Sequence, residues 1–352
     1  MATLKDISKA TGYSLVSIHR ALYHKEGLSD ETRQKILDTV KAMGYEVNYM
    51  ASSLKRKPLH VVFVGKKPRK PFDYHDMLSQ GVRDAFHQNQ GLNIELKEYY
   101  FFGASPVEQE EMQCQILDTL YGLPNLDGVV IMPASTDIKL QFAVQKLISR
   151  KIPVVFADDS FEQMDYFCAV QPFNDRIGQT GAEFMSMICP PGKILVALGS
   201  PNSKGQSQNF QGFETYLKEH APRYSCIPVE NCDNEEQLVR NLASKIDGQV
   251  VGLYTVRESN TPALCKAARL SGRTDLRVIG CDLSKENQAF LEKGILTAIL
   301  DMDSYRQGYL AMHALQDYLL KGTTPSHKLM TVPVRLVIRS NLDYYKAELP
   351  NS

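Results

Sequence analysis

The chain opens with "TLKDISKATGYSLVSIHRALYHKEGLSDETRQKILDTVKAMG" (Thr3–Gly44), three short amphipathic segments punctuated by glycines. Thr3 and Asp6 have capping-box spacing, a hydroxyl at the N-cap and an acid three residues on. A first helix is therefore predicted to about Thr11, with Leu4, Ile7 and Ala10 on one face. Gly12 breaks it, and Ser14 caps a second helix two residues later. At helical periodicity Ile18, Ala21 and Leu22 of this second helix cluster together, while Val16, His19, Arg20 and Tyr23 fall opposite and Leu15 and Ser17 lie at the borders. Ser29 caps a third helix, Asp30 and Glu31 favour its positive end, Ile36, Leu37 and Val40 form its stripe, and Gly44 stops it.

Helix, glycine-containing turn, helix and supporting helix make a helix-turn-helix arrangement. The outward face of the second helix suits the DNA major groove. A guanidinium there can pair with guanine or phosphate, and aliphatic groups can touch thymine methyls. Ser14, Leu15, Val16, His19, Arg20 and Tyr23 are the candidate contacts. A three-helix cap that only packs on the body is the other reading of the pattern. The following "NYMASSLKRK" (Asn48–Lys57) holds too few apolar residues for a helix stable by itself, so it is expected to fold on its target. Leu54 would wedge between base steps of the minor groove, with Lys55, Arg56 and Lys57 near phosphates. Asn48 and Ser52 belong to the same candidate surface. A flexible linker with solvated cations is the alternative.

Of 352 residues, 43% are apolar and 23% charged, an ordinary soluble composition, and the formal net charge is zero. The average hides an asymmetry. Residues 1–59 hold ten Lys and Arg against six Asp and Glu, so this end is about +4 and allows a polyanionic partner. Seven cysteines are scattered without a C-x-x-C pair and read as free thiols in a reducing compartment. No apolar leader and no long apolar window occur, so the expectation is a cytoplasmic protein with no membrane partner. Neither a metal nor a cofactor is expected.

From His60 onward short β-branched runs alternate with helical stretches. "HVVFVG", "NIELKEYY", "DGVVIMPA" and "IPVVFAD" form one series; "GKILVALG", "CIPVEN", "VVGLYTV" and "LRVIGCD" form a second. Two open parallel sheets with helices on both faces follow. "LTAILDMDSYRQGYLAMHALQDYLL" adds a strand and a helix, and "VPVRLVIRS" a last strand. Ligands collect beyond the carboxyl ends of such strands, in the loops 66–73, 133–137, 158–161, 199–209, 256–260 and 282–285. Half come from each array, which places the site in a cleft between two lobes. Neither G-x-G-x-x-G nor G-x-x-x-x-G-K-[ST] occurs, nor H-E-x-x-H or G-x-S-x-G, so no enzyme is expected. The scattered histidines, His75 among them, read as surface or helix-face residues.

Residues 2–58 resemble the DNA-binding headpiece of LacI-type (lactose-repressor-like) transcriptional regulators, through "TLKDISKATGYSLVSIHRALY", "LSDETRQKILDTVKAMGYEVN" and "NYMASSLKR". The resemblance implies base reading by Leu15, Val16 and Arg20 and a minor-groove wedge at Leu54. His19 and Tyr23 depart from the family's usual Ser and Asn. The body is similar to the family's periplasmic-binding-protein-like core, through "KPFDYHDMLSQGVRDAF", "VIGCDLS" and "NFQGFETYL". It implies Asp282 as the acid for ligand hydroxyls and Phe72 as an apolar platform. By itself Asp282 also reads as a helix N-cap. Asn209 stands where the family has a sugar-gripping Arg, with Arg257 and Asn260 nearby as replacements and Asp158 at a strand end.

Three parts are expected: residues 1–46 as the DNA-binding domain, 47–59 as a hinge, and 60–352 as the core. The N-lobe would span about 60–170 and 301–329, and the C-lobe about 171–300 and 330–346. The expected protein is a homodimeric repressor of pseudo-palindromic double-stranded operator DNA, governed by a sugar or sugar derivative. No leucine-heptad tail follows Tyr345, so tetramerisation through such a bundle is not expected. A non-sugar effector or a vestigial pocket is the alternative, and a solute-binding receptor a distant one.

Overall fold

The structure, a computed structural model, describes residues 2–22, 27–45, 57–88, 91–230 and 234–346. Three helices come first: α1 (Leu4–Thr11), α2 (Leu15–Leu22) and α3 (Asp30–Ala42). The Thr3 hydroxyl accepts from the Asp6 amide at 3.3 Å while the Asp6 carboxylate accepts from the Thr3 amide at 2.9 Å, so the capping box closes both ways. Gly12 ends α1 in the left-handed region at φ 73°, which a glycine reaches without steric cost. Ser14 and Ser29 cap the next two helices. Ile7, Ile18, Ala21, Leu22, Ile36 and Val40 form a core that belongs to these helices alone. Ala10, expected on the inner face, is exposed instead, because an eight-residue helix turns only Ile7 fully onto its neighbours.

The rest of the chain forms two six-stranded sheets. β1 (Leu59–Lys66), β2 (Ile94–Phe101), β3 (Gly128–Ile131), β4 (Val154–Ala157), β5 (Cys168–Pro172) and β11 (Leu329–Val332) take the order β11-β5-β4-β3-β1-β2. β6 (Lys193–Ala197), β7 (Ser225–Val229), β8 (Val250–Thr255), β9 (Arg277–Cys281), β10 (Ala298–Asp301) and β12 (Arg335–Val337) take the order β12-β10-β9-β8-β6-β7. Helices cover both faces of each sheet, and two apolar clusters flank each one. This explains why β3, β4 and β8 are buried at every position. The chain passes between lobes after β5, after β10 and between β11 and β12.

Two expectations are corrected. The single last strand is two short ones in different sheets, because Pro333 has no amide to donate and the ladder cannot run through it. β12 pairs antiparallel with β10, so the second sheet is not wholly parallel. β5 was not foreseen; its "CAVQP" is too short and mixed to stand out.

Each lobe holds one very close helix pair. In the first, α4 (Tyr74–Gln88) meets α12 (Ser304–Lys321), with Gly81 against the Tyr305 carbonyl and Gly308 against that of Leu78. In the second, α7 (Asn174–Ile188) meets α8 (Lys204–His220), with Gly178 against the Asn209 carbonyl and Gly212 against that of Asp175. Among the described residues no helix is long and apolar enough to cross a membrane, and no metal-binding group of His, Cys, Asp and Glu occurs.

Candidate functional site

The α2 face opposite the small core leaves Leu15 45% and Val16 61% exposed, with His19 and Arg20 also exposed beside them. The Ser14 hydroxyl is engaged as N-cap, accepting from the Ser17 amide at 3.1 Å. The Arg20 carbonyl accepts from Arg33 at 3.1 Å, which ties α2 to α3. Tyr23, Asn48, Ser52, Leu54, Lys55 and Arg56 lie outside the described residues.

The second candidate lies where the carboxyl ends of the two sheets face each other. Lys66 ends β1, and the loop after it carries Phe72 into the cleft at φ 63°. Asp158 follows β4 at φ 77°, Asp282 follows β9 at φ 56°, and Asp303 follows β10 at φ 50°. Left-handed backbone at four non-glycine residues around one cleft is strain that the surrounding packing must hold. The Tyr74 hydroxyl donates to Asp158 at 2.5 Å. Asp282 accepts from the Met302 amide at 2.9 Å through one oxygen, while the other is buried without a partner. Asp301 accepts from Arg335 Nε at 2.8 Å and Nη2 at 2.5 Å and from the Leu283 amide at 3.2 Å.

The lobes are closed on each other. Lys70 pairs with Glu286 at 2.7 Å, and Lys285 sits 4.0 Å over the Phe72 ring. On the other side Gly205 donates to Asp159 at 3.2 Å and Lys204 pairs with Glu162 at 2.8 Å. The cavity left beside Phe72, Tyr74, Asp282, Asp301 and Arg335 is about 40 Å³. Typical small-molecule sites are about 300–1,000 Å³, so a ligand enters only when the lobes part.

Burial dominates the electrostatics. It pushes Asp158 up from 3.8 to about 7 against the Tyr74 hydrogen bond, with Asp159 adding to it. Asp282 is pushed well above the carboxylate range by burial and then by Asp301, and Glu258 is raised by burial. An acid whose folded pKa is raised keeps its proton in the fold while the unfolded chain releases it. Through Asp158, stability is thus expected to fall as pH rises from about 4 to about 7. Asp158 contributes up to about 4 kcal/mol of that loss. Melting temperatures at pH 4.5 and 8 should differ accordingly, and Asp158→Asn should narrow the difference; an unchanged difference would refute the assignment.

The sequence expectations meet this geometry unevenly. Phe72, Asp158 and Asp282 come together in the cleft. Asn209 does not lie in the 199–209 loop: Ser203 caps α8, so Asn209 is inside the helix. It is buried and accepts from the Tyr254 hydroxyl at 2.6 Å. Asn260 donates to the Leu198 carbonyl at 2.9 Å, which ties two strand ends together. His75, read as a surface or helix-face residue, is held well below its ordinary pKa by burial and by Lys66, Arg69 and Arg257. Tyr74, Lys66, Asp301 and Arg335 were missed. The one signal for Lys66 is its place at the carboxyl end of a strand.

The fold and cleft define the two-lobed periplasmic-binding-protein class. Residues 62–324 match the family model described as "Periplasmic binding protein domain". The chain belongs to this family, and the relatives it is similar to include transcriptional repressors. It is 22% identical over 208 residues to the catabolite control protein A of Streptococcus mutans, 55% of this chain and 58% of that protein. It is 19% identical over 292 residues to the ribose operon repressor of Halalkalibacterium halodurans, 80% of each chain. The match to the probable HTH-type transcriptional repressor ExuR of Bacillus subtilis is 22% identical and covers 62% of this chain and 61% of that one. The chain thus spans about three fifths of two of these relatives. Among solved structures, a LacI transcriptional regulator described as putative, from Bacteroides fragilis, superposes with a TM-score of 0.71 at 17% identity, over 82% of this chain and all of that one. A solute-binding protein from Burkholderia graminis in complex with D-arabinose reaches 0.72 at 18%, over 81% of this chain and 97% of that one.

Proposed function

We propose that this protein is a homodimeric, sequence-specific DNA-binding repressor whose affinity for operator DNA is set by a small carbohydrate-like molecule held between the lobes. Residues 1–46 form the helix-turn-helix reader, 47–59 the hinge, and 60–352 the sensor and dimerisation core. The observation that carries this reading is the three-helix unit with a core of its own, whose α2 presents Leu15, Val16, His19 and Arg20 outward. Such a mixture of aliphatic and cationic side chains suits a major groove. One unit reads few base pairs, so two are needed, with paired hinges in the minor groove carrying Leu54 as a wedge. The repressor relatives support the assignment.

Sensing falls to the cleft. The unpartnered oxygen of Asp282 suits a ligand hydroxyl, and Phe72 offers an apolar face. A ligand that changes the lobe angle alters the spacing of the two hinges, which couples the sites. Footprinting on duplexes selected from a random pool tests the DNA half. Arg20→Ala is expected to weaken specific binding by about 1–3 kcal/mol through loss of a guanine contact. Equal weakening on random DNA would make Arg20 a phosphate contact. One observation favours a second reading, the filled cleft: a body that takes no ligand. A thermal-shift screen separates the two, since a ligand at a hundred times its Kd adds about 2.7 kcal/mol.

A further inference from the structure

The two lobes hold each other through their own side chains at two places. At the first, Lys70 in the loop after β1 pairs with Glu286 of the helix Lys285–Glu292 at 2.7 Å. The neighbouring Lys285 ammonium stands 4.0 Å over the Phe72 ring, so a cation of one lobe covers a face of the other lobe's apolar platform. At the second, Lys204 and Glu162 pair at 2.8 Å, and the Gly205 amide donates to Asp159 at 3.2 Å. Asn202 completes it: its carbonyl accepts from the Thr136 amide at 3.3 Å, and its side-chain amide donates to Asp137 at 3.2 Å. Lys70, Asp137 and Glu162 follow strands of the first sheet, whereas Glu286, Asn202 and Lys204 follow strands of the second. The cation thus comes from the first lobe in one ion pair and from the second in the other, and a single placement of the lobes satisfies both.

These contacts close the cleft onto about 40 Å³, room for water but far below the roughly 300 Å³ at which small-molecule sites begin. The closed form therefore excludes a sugar. We propose that the contacts form a latch: closure is the resting state of this protein, the pairs Lys70–Glu286 and Lys204–Glu162 hold it, and a molecule entering the cleft must break them. On the effector reading of the cleft, on which this consequence rests, the ligand favours the open form and acts by parting the lobes. An exposed ion pair shifts an equilibrium by up to about fivefold, and a minor conformer of a two-state protein is typically about 0.1–10% populated. Two pairs and the contacts beside them are therefore of the size that sets such a balance. Salt screens exposed charges, with a Debye length of about 10 Å at 0.1 M and about 3 Å at 1 M, so the latch weakens as salt rises.

Energy transfer between dyes at Gln145 of the first lobe and Gln211 of the second, both exposed, reads the lobe separation in the full-length protein with no small molecule added. Unlabelled chains in excess keep the transfer within one chain. The closed separation is expected to predominate at about 0.05 M salt, and the open fraction to grow as salt approaches about 1 M. Lys70→Glu and Lys204→Glu each turn attraction into repulsion and should raise the open fraction about fivefold or more. Lys70→Glu combined with Glu286→Lys should restore closure, since the pair is rebuilt with its charges exchanged. If a reversal fails to fold, as its melting curve would reveal, the salt series on the unaltered protein carries the test. An open majority at low salt overturns the latch, as does a separation that neither salt nor either reversal changes. Failure of the exchanged pair to restore closure overturns the role of Lys70 and Glu286 in it. None of these readings needs an effector, so the latch can fail while the effector reading, tested by the thermal-shift screen, stands.

Discussion

Gly178→Ala is expected to lower the unfolding free energy of the full-length protein by about 3 kcal/mol, at the upper end for an overpacked core. A methyl group at Gly178 would stand 1.9 Å from the Asn209 carbonyl oxygen and 2.6 Å from the Phe213 amide nitrogen. Both are helix backbone, so no side chain can swing aside and α7 must move off α8. That movement would disturb the Asn209–Tyr254 hydrogen bond and the Phe213–Tyr254 ring stack, whose centroids are 4.4 Å apart. Gly248→Ala is the control, because nothing lies within 4 Å of its added carbon. Urea unfolding of the two variants decides the matter, and a Gly178→Ala shift no larger than the control's would refute the close-packing account.

The second large effect is expected at the pair that anchors β12 to β10. Asp301→Ala should cost about 3 kcal/mol, the range found when one member of a buried ion pair is removed. It leaves the Leu283 amide without its acceptor and Arg335 with Asp303 at 3.2 Å. Asp301 is pushed up by burial although Arg335 opposes the shift, so the carboxylate is stabilised mainly by that one partner. Adding Arg335→Met should recover part of the loss, because Arg335 has then lost one of the acceptors that offset its desolvation and its removal relieves that cost. Strict additivity of the two substitutions in chemical unfolding would show that the pair does not act as a unit. The same pair borders the cleft, so a functional readout would move with it.

Much of the local structure was legible before any coordinates. Thr3 and Asp6, Gly12, Ser14, Ser29 and Gly44 mark helix ends through hydrogen bonds spanning a few residues. The inward set Ile18, Ala21 and Leu22 follows from periodicity alone. The β-branched runs from His60 onward mark strands for the same reason, since burial on both faces leaves nearly continuous apolar stretches. Where a polar or proline-bearing segment carried a strand, as in "CAVQP" and "VPVRLV", the pattern was too short to divide correctly.

The cleft was legible in outline only. Its position follows from the rule that parallel sheets bind ligands beyond their carboxyl ends, and that rule brought Phe72, Asp158 and Asp282 into view. It could not say that Asn209 faces Tyr254, because the start of α8 shifts with a single cap residue, Ser203. Nor could it leave one oxygen of Asp282 unpartnered. Helix caps and apolar periods act between near neighbours along the chain and are written in the sequence itself. The closure made by Lys70 with Glu286 and by Lys204 with Glu162 joins residues remote in sequence, and only the packing of one lobe against the other brings them within reach.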